Sequence, residues 1–181
     1  MTLPIINLYD GLHPQGIYNK TSIATAATEE GNGGDTMTAD DDRPVLHVHD
    51  LVIDDEHTTV QIDDDLKAAS RKMLTAKVSL AIVLDDQKRV MGILKSNDIL
   101  DKVLEGVSPE KTSVSTIMIR DFYKIKYTDN LAEVAPKIHK SGHKYIVVID
   151  KHGKYKGYFS INDLRHSREI LYKLGYSPFE K

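Results

Sequence analysis

The sequence predicts an α/β fold: one β-α-β-β-α unit used twice, forming a single pseudo-symmetric module. Three observations carry this. Residues from Thr58 to Ile99 match the residues 65 positions later without a gap. Each copy alternates strand-like and helix-like apolar spacing in the same order. The chain has 181 residues, enough for one domain with a real core, and no cysteine to staple a smaller one. The absence of cysteine also excludes disulfides, thiolate metal centres and cysteine nucleophiles.

The shared register is specific. Asp64, Leu66, Lys72, Val83, Asp85, Gly92, Asn97 and Asp98 recur as Asp129, Leu131, Lys137, Val148, Asp150, Gly157, Asn162 and Asp163. Taken in order, Thr58–Ile62 and Tyr123–Tyr127 alternate as short strands. Asp64 and Asp129 read as helix-starting acids, and Asp63-Asp64-Asp65 as an acidic helix start. Leu66, Ala69 and Met73 then keep helical spacing, as do Leu131, Val134 and Ile138. Leu80–Leu84 and Tyr145–Ile149 are continuous apolar runs, as buried strands require. Turns follow at Asp85–Lys88 and Asp150–Gly153. A third strand leads into each motif glycine, and a final helix starts near Ser96 and near Ser160. Pro136 falls inside the first helix of the second copy, which predicts a kink there or a helix that starts later than its counterpart.

Charge divides the chain. Residues 1–43 carry a net −5 and the rest a net +2. We divide it into an extension with an acidic linker (1–43), a first repeat (44–110), a second repeat (111–170) and a C-terminal tail (171–181). Thr21–Arg43 has no apolar period and contains Gly31-Asn32-Gly33-Gly34, so it reads as a flexible linker. Leu3–Tyr9 is apolar enough to dock on the body as an edge strand or turn, or to be a tether from an upstream domain. Glu169–Lys181, with Tyr172 and Tyr176, reads as a helix extension and a tail. The mild net charge of −3 argues against a nucleic-acid partner, and no apolar run is long enough for membrane insertion. The start of the chain does not read as a secretory signal.

Each copy closes on one pattern: Gly157-Tyr158-Phe159-Ser160-Ile161-Asn162-Asp163, and Gly92-Ile93-Leu94-Lys95-Ser96-Asn97-Asp98. This pattern, twice in register after the same elements, resembles the end of a CBS domain (named after cystathionine β-synthase). The resemblance covers about residues 47–170. It implies a paired module that forms homodimers and binds AMP, ADP or ATP, with S-adenosylmethionine and cyclic di-AMP as further candidates. It implies regulation of an attached or partner channel, transporter or enzyme, without catalysis, on the cytoplasmic side. The second copy, ending Asp163-Leu164-Arg165, is also similar to the cytosolic tails of CLC-type chloride channels and transporters. A free-standing cytosolic sensor and a ligand-free dimerisation scaffold are the alternatives.

The resemblance assigns the closing Asp163 to two ribose hydroxyls, a role suited to an acceptor-only carboxylate. Ser160, at a helix start, would reach a phosphate. The plain structural alternative is an N-cap serine and a first-turn acid. His143 and Lys144 stand where the family places phosphate-facing bases, the alternative being a solvated turn. Phe122, Tyr123, Ile125 and Tyr145 are the nearest candidates for a purine slot. In the first copy Asp98 is present, but Lys95 replaces the hydroxyl residue, either supplying charge or filling the pocket. We therefore expect one competent site near Asp163 and a degraded or different one near Asp98. No hydrolase triad, phosphate loop or zinc-protease motif occurs, so no catalytic residue is assigned. His47 and His49 would share one face of a strand, with Asp50, Asp54, Asp55 and His57 following. No third ligand stands at a recognised metal spacing, and no metal is assigned.

Overall fold

The computed structural model describes residues 44–53 and 56–176. The expectations for the leader, the acidic linker, Asp54, Asp55 and the last five residues lie outside the described residues. The first repeat runs β1 (Thr58–Gln61), α1 (Leu66–Ala76), β2 (Leu80–Leu84), β3 (Val90–Lys95) and α2 (Ser96–Leu104). The second runs β4 (Tyr123–Lys126), α3 (Leu131–Ser141), β5 (Ile146–Ile149), β6 (Tyr155–Phe159) and α4 (Ile161–Lys173). The predicted β-α-β-β-α order is present twice.

Each repeat forms its own three-stranded sheet, ordered β1-β2-β3 and β4-β5-β6. The first two strands of each are parallel, because a helix joins them; the last two are antiparallel, because a tight turn joins them. Register repeats as well: Thr58 pairs with Ala81 and Tyr123 with Ile146. The tight turns share one device. Asp85 Oδ1 accepts from the N–H groups of Gln87 and Arg89, and Asp150 Oδ1 from those of His152 and Lys154. These bonds hold both carboxyls below the usual carboxylate range.

Two local expectations are corrected. Asp64 and Asp129 do not start the helices. Their carboxylates close the preceding turns, accepting from Gln61 N–H and Lys126 N–H at 2.9 Å. The next residue is the N-cap in each repeat: Asp65 accepts from Ala68 N–H and Asn130 from Ala132 N–H. Of the two outcomes expected for the proline-containing helix, a kink or a later start, the later start does not occur. Helix α3 begins at Leu131 on its Asn130 cap and contains Pro136. Proline leaves the Ala132 carbonyl without its intrahelical donor. Burial of Leu131, Val134, Ala135 and Ile138 on one face outweighs that loss.

The core is cross-packed. Leu46, Val48, Leu51 and Ile53, which precede β1, are buried among Ile125, Leu131, Ile146 and Phe159 of the second repeat. Val114 and Met118, which precede β4, are buried among Val60, Leu66, Val83 and Leu94 of the first. A third cluster joins the two sheets through Ile82, Leu84, Val90, Ile93 and Val147. Each entering segment lies on the last strand of the opposite repeat. Tyr158 N–H donates to the Ile53 carbonyl at 2.8 Å, and Ile93 N–H to that of Ile119 at 2.9 Å. Helix α4 carries the fully buried Leu171, and Tyr176 donates to the Pro44 carbonyl at 3.3 Å, so residues 171–176 also pack on the second repeat.

Candidate functional site

The start of α4 is built by a reciprocal pair of hydrogen bonds. Ser160 has extended backbone and directly follows β6 as the N-cap of α4, so its side chain faces the first turn of the helix. Asp163 N–H donates to Ser160 Oγ at 3.2 Å, and Ser160 N–H donates to Asp163 Oδ2 at 2.7 Å. This is a capping box, the plain structural reading of these two residues. A hydroxyl that accepts here retains its own O–H donor. Both residues are buried, Ser160 at 3% and Asp163 at 6% exposure, although the helix lies at the surface.

The neighbours of this box come from the segment entering the first repeat. Asn162 Nδ2 donates to Glu56 Oε1 at 3.0 Å. The His57 ring lies 5.6 Å from that of Tyr155 and 5.9 Å from that of Tyr158, and its Nε2 is hydrogen-bonded to the Tyr155 hydroxyl. Burial pushes the Tyr158 phenol up to about 12, reinforced by repulsion from the Tyr145 phenol once it ionises and from the carboxylates of Glu56 and Asp163. Glu56 thus touches the first turn of α4 and His57 the motif residue Tyr158, and sequence reasoning did not select these three for this site. The signal available was the 65-residue symmetry combined with the motif glycine, which marks where a second backbone must approach.

The first repeat has a different motif chemistry. Lys95 occupies the N-cap position of α2 and makes no side-chain cap bond. Its ammonium reaches Asp98 Oδ1 at 2.9 Å. That hydrogen bond to Asp98 raises the Lys95 pKa, with a further contribution from Tyr145 of the second repeat. Tyr145 thus lies in the electrostatic reach of both motifs, Lys95 on one side and Tyr158 on the other.

His143 Nε2 lies 3.2 Å from Asp121 Oδ1, and its ring lies 5.5 Å from that of Tyr123. His143 Nδ1 is buried without a hydrogen-bond partner among the described residues. Lys144 is exposed. Ile125 is part of the second core, and Tyr123 packs against it. A groove of about 280 Å³ runs beside β4 and α3, lined by Tyr123, Lys124, Lys126, Glu133 and Lys137 among others; Ser160 and Asp163 are not part of its lining. No helix among the described residues is long and apolar enough to cross a membrane.

The family model for the CBS domain matches residues 48–105 and 114–169. No curated protein matches the chain. Among solved structures, a CBS domain protein from Pyrobaculum aerophilum complexed with AMP aligns at 21% identity and TM-score 0.57, covering 72% of this chain and 98% of that one. A CBS domain-containing protein from Bacillus anthracis aligns at 20% identity and TM-score 0.56, covering 71% and 94%. The cytosolic domain of the Mg2+ channel MgtE in complex with ATP aligns at 19% identity and TM-score 0.52, covering 63% of this chain and 46% of that one. These likenesses concern the fold.

Proposed function

The chain belongs to the CBS-domain family, and from that membership we propose that it is a non-catalytic regulatory module that senses an adenine nucleotide: AMP, ADP or ATP. The observation that carries this reading is the buried Ser160–Asp163 box, with Glu56 bonded to the adjacent Asn162 and His57 packed on the motif residue Tyr158. Asp163 would accept the ribose hydroxyls, a pair of charge-assisted bonds of about 1.5–3 kcal/mol each. Ser160 and the N-terminus of α4 would face phosphate, with the exposed Lys144 in reserve as a counter-charge. Tyr145 and Tyr158 suit the purine better than Ile125, whose side chain is taken up by the core. The complexes of similar folds with AMP and with ATP support the ligand class. The ion pair between Lys95 and Asp98 supports a single competent site per chain.

A ligand regulates only through different affinity for two arrangements of the module. The cross-packed segments before β1 and β4 are where such a difference would be transmitted, because each is held by the opposite repeat. The regulated partner would be a channel, transporter or enzyme, attached or separate, and the module would act as a homodimer.

Calorimetric titration with AMP, ADP, ATP, S-adenosylmethionine and cyclic di-AMP tests the reading. We expect one of them to bind at one site per chain. Asp163→Asn retains a capping oxygen but loses the charge, and should weaken binding at least tenfold, while Asp98→Asn leaves it unchanged. Silence with all five ligands, from a folded dimer, would favour the ligand-free scaffold.

A further inference from the structure

We propose that His47, His49 and Asp50 form a binding site for a divalent transition-metal ion of the zinc class. Read as a strand, this stretch places Asp50 on the face opposite His47, and no third ligand is available. The structure corrects that expectation. Val48–Asp50 is a 3-10 turn, and in such a turn residues three apart eclipse. Asp50 therefore returns to the side of His47, and His47 N–H donates to Asp50 Oδ2 at 2.8 Å. One donor atom from each of the three side chains lies within 4.8 Å of the others. The edge of a tetrahedral zinc site is about 3.4 Å, so side-chain rotation closes the gap.

The donor chemistry is prepared. His49 Nδ1 lies 3.1 Å from the Tyr127 carbonyl. A carbonyl only accepts, so in the neutral ring this nitrogen carries the proton and Nε2 presents its lone pair. A ligand histidine held by a backbone carbonyl in this way is the usual outer-shell arrangement of metal sites. That lone pair faces Asp50 Oδ1 at 3.7 Å. The His47 and His49 rings stack at 5.1 Å, only 10° from parallel, which keeps both imidazoles on one side. Asp50 is 6% exposed, and a buried carboxylate of this kind is stabilised by a cation. The turn itself is anchored from outside: Val48 N–H donates to the Asp129 carbonyl and His49 N–H to that of Tyr127, both at 3.0 Å. Three protein ligands leave a fourth position for water. An ion here would rigidify the segment that enters the second repeat's core, and the inference stands apart from the nucleotide reading.

The test is a zinc titration of the full chain after chelator treatment, in competition with a chromophoric chelator. We expect one equivalent bound, and a loss of affinity of at least tenfold in both His47→Ala and His49→Ala. His152→Ala, at an exposed turn, should bind as the unmodified chain does. Zinc should also raise the thermal midpoint of the unmodified chain and of no His47 or His49 variant. Should those variants fail to fold, cobalt(II) added to the unmodified chain provides the second reading, an intense visible band of a low-coordinate nitrogen–oxygen site. No saturable zinc binding, binding retained in the His47→Ala/His49→Ala double variant, or a weak octahedral cobalt spectrum would each overturn the proposal.

Discussion

A Cβ placed on Gly157 would stand 2.6 Å from the carbonyl oxygen of Ile53 and equally close to its side chain. The glycine that opens the closing motif is therefore a docking point for the segment entering from the other repeat. Gly92 has the same relation to Met118 and Ile119, at 2.8 and 2.9 Å. We expect Gly157→Ala to destabilise the fold by about 1–3 kcal/mol, the usual range for overpacking. Gly92→Ala should cost less, because the flexible Met118 side chain can yield and the backbone oxygen in the way, that of Ile119, stands at 2.9 Å instead of 2.6 Å. Ile53→Ala should not rescue Gly157→Ala, because a backbone oxygen remains in the way. Urea midpoints of the unmodified chain, the three single variants and the Gly157→Ala/Ile53→Ala double variant decide this, and full rescue would show that the side chain alone sets the limit.

The motif of the first repeat can be converted into that of the second. Lys95→Ser supplies the N-cap hydroxyl that α2 lacks, a gain of about 0.5–2 kcal/mol. It removes a partly exposed ion pair worth about 0–1 kcal/mol. Net stability should be unchanged or higher by urea unfolding. On the nucleotide reading, the stoichiometry by calorimetry should rise from one towards two. A stoichiometry fixed at one, with Asp98 released, would show that Lys95 is not what closes the first site.

Tyr158 makes stability sensitive to alkali. Its phenol is raised to about 12 in the fold, against about 10 in an unfolded chain. Below pH 10 its contribution is complete. As the pH climbs towards 12 the unfolded state loses its proton first, so stability falls. Tyr158→Phe should flatten this part of the curve relative to the unmodified chain, measured as urea midpoints between pH 9 and 11.5. Parallel curves would contradict the buried, acid-flanked environment of this hydroxyl.

Much of this was legible because it is local. Leu66, Ala69 and Met73 announce a helix face wherever they occur, and Leu80–Leu84 a buried strand. The left-handed residue of the β5–β6 turn is Gly153, a plain turn signal; its counterpart Lys88 takes the same conformation at φ 61° without announcing it. The capping pair Ser160 and Asp163 was readable from its spacing alone. His143 was placed correctly before its strand, but its imidazole turns to Asp121 and Tyr123, and no local pattern specifies where a ring points.

The sequence by itself determined the repeated unit, its element order and the two motif positions, since apolar periodicity and cap chemistry act over a few residues. Tertiary structure decided which apolar face meets which. It sends Ile53 to the second repeat and Met118 to the first, and so brings Glu56 to α4 and His57 to β6. It also curls His47–Asp50 into a turn instead of a strand, because the carbonyls that hold it belong to Tyr127 and Asp129. Periodicity records that a surface must be buried; only the folded chain supplies the partner that buries it.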